Sequence, residues 1–216
     1  MRDRTAAARI GVVIYDGVEP IDIGGTVGVV SMAGRVLPGI TAVTVAAFPG
    51  PVRLAGGLTV LASHGFADAP ACDVLVVCGG PGWRDQVNDT TMLNFLRGQV
   101  PAQVASVCTG ALILAAAGLL DGLPATTRRR VAGSEKHAPL QLLAGLGVGV
   151  QPHEALVVDA GVVTGGGVSL AIDATLYLIG RLYGQAALGE VARVIEYDRA
   201  WEANRQALGV FESSRK

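Results

Sequence analysis

Residues 98–120 carry no charged side chain, and this run restricts the possible folds more than any other feature of the chain. About 20 apolar residues suffice for a helix that spans a bilayer, so length alone allows a membrane segment. Pro101 and several polar side chains interrupt the first half, and the purely apolar part, residues 111–120, is too short to span. The run therefore predicts a short buried strand over 104–107, a turn, and a core helix over 111–120.

The composition is typical of a globular domain. The chain has 216 residues, of which half are hydrophobic and 30 are glycine, and its formal net charge is −1. This length supports one domain with its own core, and the hydrophobicity excludes intrinsic disorder. The near-neutral charge argues against a nucleic-acid binder that relies on bulk positive charge. The N-terminal sequence lacks the apolar segment of a signal peptide, so we expect a cytoplasmic protein without a membrane segment.

The metal-ligating residue types show no ligand pattern. The three cysteines have no paired spacing, so neither a disulfide framework nor a zinc site is predicted. The histidines have no partner at ligand spacing, and we expect them to be structural or exposed: His64, His137 and His153. No metal and no organic cofactor is expected.

Apolar strands alternate with helices along most of the chain. Residues 1–8 are expected to form a flexible tail, residues 9–197 a single domain, and residues 198–216 a polar C-terminal tail. Further strands are predicted at 9–15, 40–48, 73–78, 155–158 and 162–163, a hairpin at 52–62, and helices at 22–34, 85–98, 133–145, 168–183 and 186–197. This order predicts an α/β fold with a parallel sheet covered on both faces, in which ligands bind at the carboxyl ends of the strands.

Cys108 stands where the strand 104–107 meets the core helix, and this is the layout of a nucleophile elbow. The sharp turn exposes the side chain at the edge of the sheet, and the small neighbours Gly110 and Ala111 let the turn close. The helix that follows points its N–H groups and its positive dipole end at the thiol, so a lowered pKa and a nucleophilic thiolate are expected. The alternative is a buried structural cysteine.

A glycine pair at a neighbouring strand end supplies a candidate anion pocket. Gly79 and Gly80 follow the strand 73–78, and glycines allow backbone N–H groups to approach a ligand closely. Together with the N–H group of Thr109, Gly80 can form an oxyanion-hole-like pocket. A plain tight turn explains the two glycines equally well.

Two charged residues are candidates for the same site. Asp22 lies between two isoleucines after the first strand, which suits either an acid–base group or a cap of the following helix. Arg128 begins a run of three arginines, and it is either the solvated start of a helix or an anion contact at the site.

These segments together resemble the DJ-1/PfpI superfamily, which has the flavodoxin-like architecture of class-I glutamine amidotransferases. The resemblance extends over about residues 9–197 and is carried by IGVVIYDGVEPIDIGG, VVCGGPG, ASVCTGALILAAAGLLDG, PATT and VVTGGGVSLAIDATLYLI. It implies a three-layer sandwich with a mostly parallel sheet, helices on both faces and a nucleophile elbow. The pairing of IDIGG with the elbow segment is most similar to the branch that contains isonitrile hydratases and the N-terminal domains of some AraC-type regulators.

The resemblance implies a role for each matching residue. It makes Cys108 the nucleophile, Thr109 the elbow neighbour and Asp22 the acidic partner, and it assigns the backbone pocket to Gly80 with Thr109. The resemblance also assigns the substrate-facing wall of the site to three consecutive glycines, Gly165, Gly166 and Gly167. An aspartate partner is typical of the hydratase branch, whereas glyoxalase and deglycase members have a glutamate.

Two positions depart from the family pattern. Arg128 stands where a histidine is common after the PATT segment, so a Cys–His pair for protease or amidase chemistry is incomplete. Cys78 replaces the proline often found before the glycine pair. It is expected close to the site, as a second redox-active thiol.

The presence of Asp22 and the absence of the family histidine favour hydration of a small isonitrile to an N-formamide, through a covalent thioimidate on Cys108. One alternative is a redox or oxidative-stress sensor with an oxidisable Cys108. Another is glyoxalase or deglycase activity, which the aspartate and the missing histidine disfavour. The resemblance also implies a stand-alone homodimer that acts on a small molecule, with neither nucleic acid nor membrane as partner.

Overall fold

A mostly parallel sheet of eight strands forms the centre of the computed structural model, which describes residues 2–213. The strands of the chain are β1 (Ala8–Val13), β2 (Ile40–Ala46), β3 (Gly50–Arg53), β4 (Thr59–Ala62), β5 (His64–Gly65), β6 (Val74–Val77), β7 (Val104–Ser106), β8 (Pro124–Ala125), β9 (Gln151–Pro152), β10 (Val157–Asp159), β11 (Val163–Gly165) and β12 (Val210–Glu212). The sheet order is β12-β10-β11-β7-β6-β1-β2-β5, and its pairings are parallel except for β10 with β11. The predicted hairpin is β3 with β4.

Helices pack around this sheet. They are α1 (Pro20–Ile23), α2 (Val29–Ala33), α3 (Trp83–Gln86), α4 (Thr90–Arg97), α5 (Gly110–Ala116), α6 (Pro139–Leu143), α7 (Ala171–Tyr183), α8 (Gln185–Val194) and α9 (Asp198–Leu208). A glycine-rich π-helical stretch, Gly24–Gly28, joins α1 to α2. The helix predicted over 85–98 is divided in two, because the Asp89 side chain accepts N–H bonds that start α4. The helix predicted over 133–145 shortens to α6.

The uncharged run 98–120 contains β7, the turn and α5 in the predicted order, but the helix ends at Ala116 instead of residue 120, and residues 117–120 form turns. Residues 110–115 of α5 are all buried, so an unbroken apolar sequence here reflects a helix enclosed by the protein. Within residues 2–213, no helix combines the length and the apolar character needed to cross a bilayer.

The C-terminal segment belongs to the fold, which corrects the predicted domain boundary at residue 197. Helix α9 follows directly, and β12 extends the central sheet by pairing with β10. Asn204 of α9 donates to both carboxylate oxygens of Asp173, a buried residue of α7. The segment has a polar sequence because an amphipathic helix at the surface packs through one face only. Residues 214–216 of the predicted tail lie outside the described residues.

The predicted N-terminal tail also makes contacts with the domain. The N–H group of Arg2 donates to the carbonyl oxygen of Leu182 at 2.8 Å, and its guanidinium pairs with Asp73. Ala8, assigned to the tail, is the first residue of β1. Met1 lies outside the described residues.

Gly110 illustrates how closely α5 approaches the sheet. A Cβ atom at this position would lie 2.1 Å from the carbonyl oxygen of Val77 in β6. We expect Gly110→Ala to lower the free energy of unfolding by about 3 kcal/mol or to prevent soluble folding, because backbone atoms cannot move aside cheaply. Urea denaturation followed by circular dichroism measures the change.

Gly28 provides the matched control for this substitution. It has helical dihedral angles and is exposed, and a Cβ atom there would meet nothing within 4 Å. Gly28→Ala is expected to stabilise the protein by about 0.5–1 kcal/mol, since alanine restricts the unfolded chain. A Gly110→Ala protein as stable as the parent would contradict the close approach of α5 to β6.

Candidate active site

Cys108 lies on a tight turn between β7 and α5, with a φ angle of +52°. A positive φ is uncommon for a residue other than glycine and persists only where the surroundings enforce it. Two hydrogen bonds do so. The Cys108 N–H group donates to the carbonyl oxygen of Gly166 at 3.0 Å, and the Thr127 hydroxyl donates to the Cys108 carbonyl oxygen at 2.6 Å. The geometry is that of the predicted elbow, and the thiol borders a cavity although the residue is only 3% exposed.

Asp22 is fully buried at the start of the first helix, and its carboxylate is held at one oxygen. The Gly79 N–H group donates to Oδ2 at 2.8 Å, whereas Oδ1 has no hydrogen-bond partner among residues 2–213. Burial raises the pKa of Asp22 to about 7, against the lowering effect of the Gly79 N–H group. The residue at the N-cap of α1 is Glu19, so the alternative role of Asp22 as a helix cap is wrong.

The Cys108 thiol is less acidic than its position at a helix start suggests. Burial and the neighbouring Asp22 charge raise the pKa of Cys108 to about 12, and the N–H groups of Val168 and Thr109 only partly oppose them. The expectation of a lowered pKa is therefore wrong, because desolvation and like charge outweigh the helix dipole. The thiol and the Asp22 carboxyl influence each other's pKa, although no hydrogen bond of normal geometry joins them in the described part of the chain.

The backbone pocket predicted from the glycine pair is corrected by the hydrogen bonds. The Gly80 N–H group donates to the Thr109 hydroxyl at 2.9 Å, and the Gly79 N–H group is taken by Asp22, so neither is free for an anion. The glycines instead allow close packing. A Cβ on Gly79 would lie 2.4 Å from the Thr109 nitrogen, and one on Gly80, whose φ is +144°, would lie 2.4 Å from the Glu19 nitrogen.

The glycines at 165–167 lie behind the elbow and do not line the cavity, which corrects their assignment as a substrate wall. Gly166 accepts the Cys108 N–H bond. A Cβ on Gly167 would lie 2.4 Å from the Cβ of Arg128, so this glycine allows the two segments to pack closely. The run supports the elbow through the Gly166 carbonyl oxygen.

A cavity of about 600 Å³ opens beside Cys108. Its wall combines an aromatic ring, four charged side chains and one aliphatic residue: Trp83, Glu19, Arg84, Arg128, Glu135 and Val168. Sequence reasoning missed Trp83, Arg84, Glu135 and Val168 as parts of the site. The first two directly follow the glycine-rich strand end GGPG, and this position was the one available signal.

Arg128 lies at the site, and the anion that it contacts is the carboxylate of Glu135 in the same chain. Its side chain is 13% exposed and donates to both carboxylate oxygens of Glu135, at 2.6 and 2.8 Å. The segment that follows has no helix before α6, so the interpretation as a solvated helix start is wrong. Arg128 thus fastens residues 132–135 over the cavity.

Cys78 ends the strand segment next to the glycine pair and is fully buried. The Tyr15 hydroxyl donates to its carbonyl oxygen at 2.9 Å. Burial raises the pKa of the Cys78 thiol well above its usual value, and the Asp22 charge adds to the effect. The residue is close to the site, as predicted, but a buried neutral thiol is poorly suited to redox chemistry.

These features define a class of protein: a flavodoxin-like α/β domain with a cysteine on a nucleophile elbow and a buried carboxyl beside it. The chain belongs to the DJ-1/PfpI family, whose model matches residues 8–180. The isonitrile hydratase of Pseudomonas putida is 34% identical over 193 residues, which cover 88% of this chain and 79% of that protein.

A solved structure and a transcriptional regulator are also similar to this chain. The crystal structure of a THiJ/PfpI family protein from Pseudomonas syringae has a TM-score of 0.75 and 30% identity, covering 90% of this chain and 76% of that one. The HTH-type transcriptional regulator GbdR of Pseudomonas aeruginosa is 28% identical over 145 residues, 66% of this chain and 37% of the regulator. The predicted family and the predicted fold class are confirmed.

Proposed function

We propose that this protein hydrates a small isonitrile to an N-formamide, with Cys108 as nucleophile and Asp22 as proton carrier. The observation that carries the proposal is the Asp22 carboxyl, which Gly79 orients through one oxygen while the other has no hydrogen-bond partner among residues 2–213, and whose charge is close enough to raise the pKa of the Cys108 thiol. The similarity to the isonitrile hydratase of Pseudomonas putida supports the same chemistry.

The raised pKa of Cys108 fits this reaction because an isonitrile carbon takes up both a nucleophile and a proton. As the S–C bond forms, the Asp22 carboxylate accepts the thiol proton and delivers it to the same carbon, giving the thioimidate Cys–S–CH=N–R. The S–H group therefore adds as a whole, and no free thiolate is needed. A carboxyl with a pKa of about 7 both accepts and donates protons near neutrality.

The second half of the reaction releases the product and restores the thiol. Water adds to the thioimidate carbon, Asp22 accepts its proton, and the nitrogen is protonated. Breaking the C–S bond then returns a proton to the Cys108 sulfur and releases R–NH–CHO. The sum is R–NC plus water to R–NH–CHO, so the enzyme needs no other reactant.

The direct test is incubation of the purified protein with cyclohexyl isonitrile, with N-cyclohexylformamide measured by mass spectrometry. We expect multiple turnovers per Cys108. A rate equal to that in buffer would overturn the proposal. The alternative of a redox sensor is weakened by the structure, since sensor cysteines are accessible and acidic whereas Cys108 is buried with a raised pKa. Faster peroxide oxidation of Cys108 than of the half-buried Cys72 would favour the sensor.

We also propose a cytoplasmic homodimer that forms through an exposed apolar surface. The hairpin of β3 and β4, together with a residue two positions before it, presents three large hydrophobic side chains to solvent: Phe48, Leu58 and Leu61. Ile21 of α1 is also exposed, and the hairpin loop hydrogen-bonds to the segment before α1. A cluster of this kind is typical of a protein interface.

Substitution on this surface tests the dimer. We expect Leu61→Arg to reduce the mass measured by light scattering from that of a dimer to that of a monomer, because an arginine would be buried there without a partner. Val148→Arg, on a residue that is 77% exposed and outside this surface, should remain dimeric. A parent protein that is monomeric at micromolar concentration would refute the dimer.

A further inference from the structure

The two arginines that line the cavity differ in how their N–H groups are used. The Arg128 guanidinium is committed to Glu135 and to the carbonyl oxygen of Arg130. The Arg84 side chain is 53% exposed, and its guanidinium makes no hydrogen bond to any residue of 2–213. Arg84 is therefore the cavity cation whose five donors remain available.

Glu135 is a poor partner for Arg84. Both of its carboxylate oxygens accept from Arg128, and Oε2 also accepts the Ala132 N–H bond at 2.9 Å. The remaining contact to Arg84 is 3.7 Å long and lies near solvent, so it contributes little. A carboxylate of a bound molecule, with both oxygens free to accept from Arg84, would replace this contact with Glu135.

Trp83 holds the Arg84 guanidinium in place. The guanidinium carbon lies 4.8 Å from the centre of the Trp83 ring, and Trp83 is only 7% exposed. A cation–π contact restrains the guanidinium without supplying a hydrogen-bond acceptor. The cation is thus restrained beside the cavity with its hydrogen-bond donors unused, and planar carboxylates are the anions that match such a fork.

We propose that Arg84 binds a carboxylate on the substrate, so that the preferred substrates are small isonitriles that carry a carboxylate group. This inference rests on the proposed function, because Cys108 supplies the reaction and Arg84 selects the molecule. Glu19 lines the same cavity and forms no ion pair in the described part of the chain, so it repels an anion placed beside it. The carboxylate end is thereby directed to Arg84.

A pair of substrates that differ only in charge tests the inference. Isocyanoacetate and isocyanoacetamide have nearly the same size, and the measured quantity is the ratio of their kcat/KM values. We expect the parent to favour the anion about 10-fold, Arg84→Met to remove that preference, and Arg84→Lys to keep part of it. Arg193→Met, on an exposed arginine of α8 outside the cavity, should leave the ratio unchanged.

A binding measurement separates this inference from the proposed function. N-formylglycine and N-formylglycinamide are the corresponding products, and calorimetry on a Cys108→Ala protein measures their affinities without turnover. If neither isonitrile is hydrated but N-formylglycine binds about 10-fold more tightly in a manner that Arg84→Met abolishes, the proposed function fails, whereas the carboxylate site at Arg84 stands. If isocyanoacetamide is hydrated as fast as isocyanoacetate and the two products bind equally, the inference is overturned and the proposed function stands.

Discussion

Cys108→Ala is expected to lower kcat/KM for isonitrile hydration by about 10⁴-fold or more, to the rate in buffer. The loss is large because the reaction depends on an S–C bond that no other group at the site replaces. The Thr109 hydroxyl is engaged with Gly80, and the Cys78 thiol is buried away from the cavity. Cys108→Ser should be almost as inactive, since a serine hydroxyl is a far weaker nucleophile than a thiol.

The control for this substitution is another cysteine with a similar thiol and no contact with the cavity. Cys72 packs against Gly11 near the start of β6, and Cys72→Ala should keep the parent's activity within about two-fold. Rapid acid quenching of the parent with cyclohexyl isonitrile should add the mass of one isonitrile to the Cys108 peptide. A Cys108→Ala protein that retains a tenth of the parent rate would exclude the covalent route.

The fold could be predicted from the sequence because each buried strand has its own local signal and this signal recurs along the chain. The buried parallel strands appear as short uncharged runs, and each ends in glycine or in a turn signal. The predicted C-terminal boundary at residue 197 was wrong because the segment beyond it lacks such a signal. Helix α9 and β12 contain no fully buried residue, so their sequences resemble those of a tail until β12 is seen paired with β10.

The candidate site was predicted where a single segment defines it, and missed where distant segments meet. The elbow at Cys108 follows from its own neighbours, whereas those of Asp22 left two roles open and the family resemblance implied the acidic partner. The acidity of the thiol does not follow from its neighbours, because it depends on how deeply other parts of the chain cover Cys108 and on the charge of Asp22. The hydrogen bond from Gly80 to Thr109, which takes the Gly80 N–H group out of the expected anion pocket, joins residues 29 positions apart.

Asp22→Asn is the second substitution with a large effect, and it should change activity and stability in opposite directions. We expect a loss of hydration activity of about 10²–10⁴-fold, because an amide cannot carry a proton from sulfur to carbon. The amide oxygen can still accept the Gly79 N–H bond, so the local structure should persist. Formamide production at saturating isonitrile measures the loss.

The stability gain follows from the raised pKa of Asp22. This pKa is about 7 in the folded protein and about 3.9 in an unfolded chain, so between these values the folded state binds more protons. Stability therefore falls as pH rises from about 4 to 7, and above pH 7 the ionised, buried carboxylate costs about 4 kcal/mol. Asp22→Asn removes this cost. In urea denaturation the variant should be more stable than the parent at pH 8, with little difference at pH 4.

An exposed aspartate supplies the control for this pH dependence. Asp85 is exposed on α3, and its carboxylate accepts no hydrogen bond within residues 2–213. Asp85→Asn should leave the stability difference between pH 4 and pH 8 as it is in the parent. If Asp22→Asn also leaves that difference unchanged, the carboxyl does not carry the raised pKa.

Alkylation of Cys108 by iodoacetamide then distinguishes two roles for Asp22. If Asp22 served as a base that ionises the thiol, Asp22→Asn would slow both alkylation and hydration. The structure predicts a different result, because the Asp22 charge raises the pKa of Cys108 and its removal makes the thiolate easier to form. Alkylation at pH 8 should therefore become faster in Asp22→Asn while hydration is lost. This combination is expected if Asp22 moves protons to and from the isonitrile and its adduct rather than ionising the thiol beforehand, and slower alkylation in the variant would contradict that role.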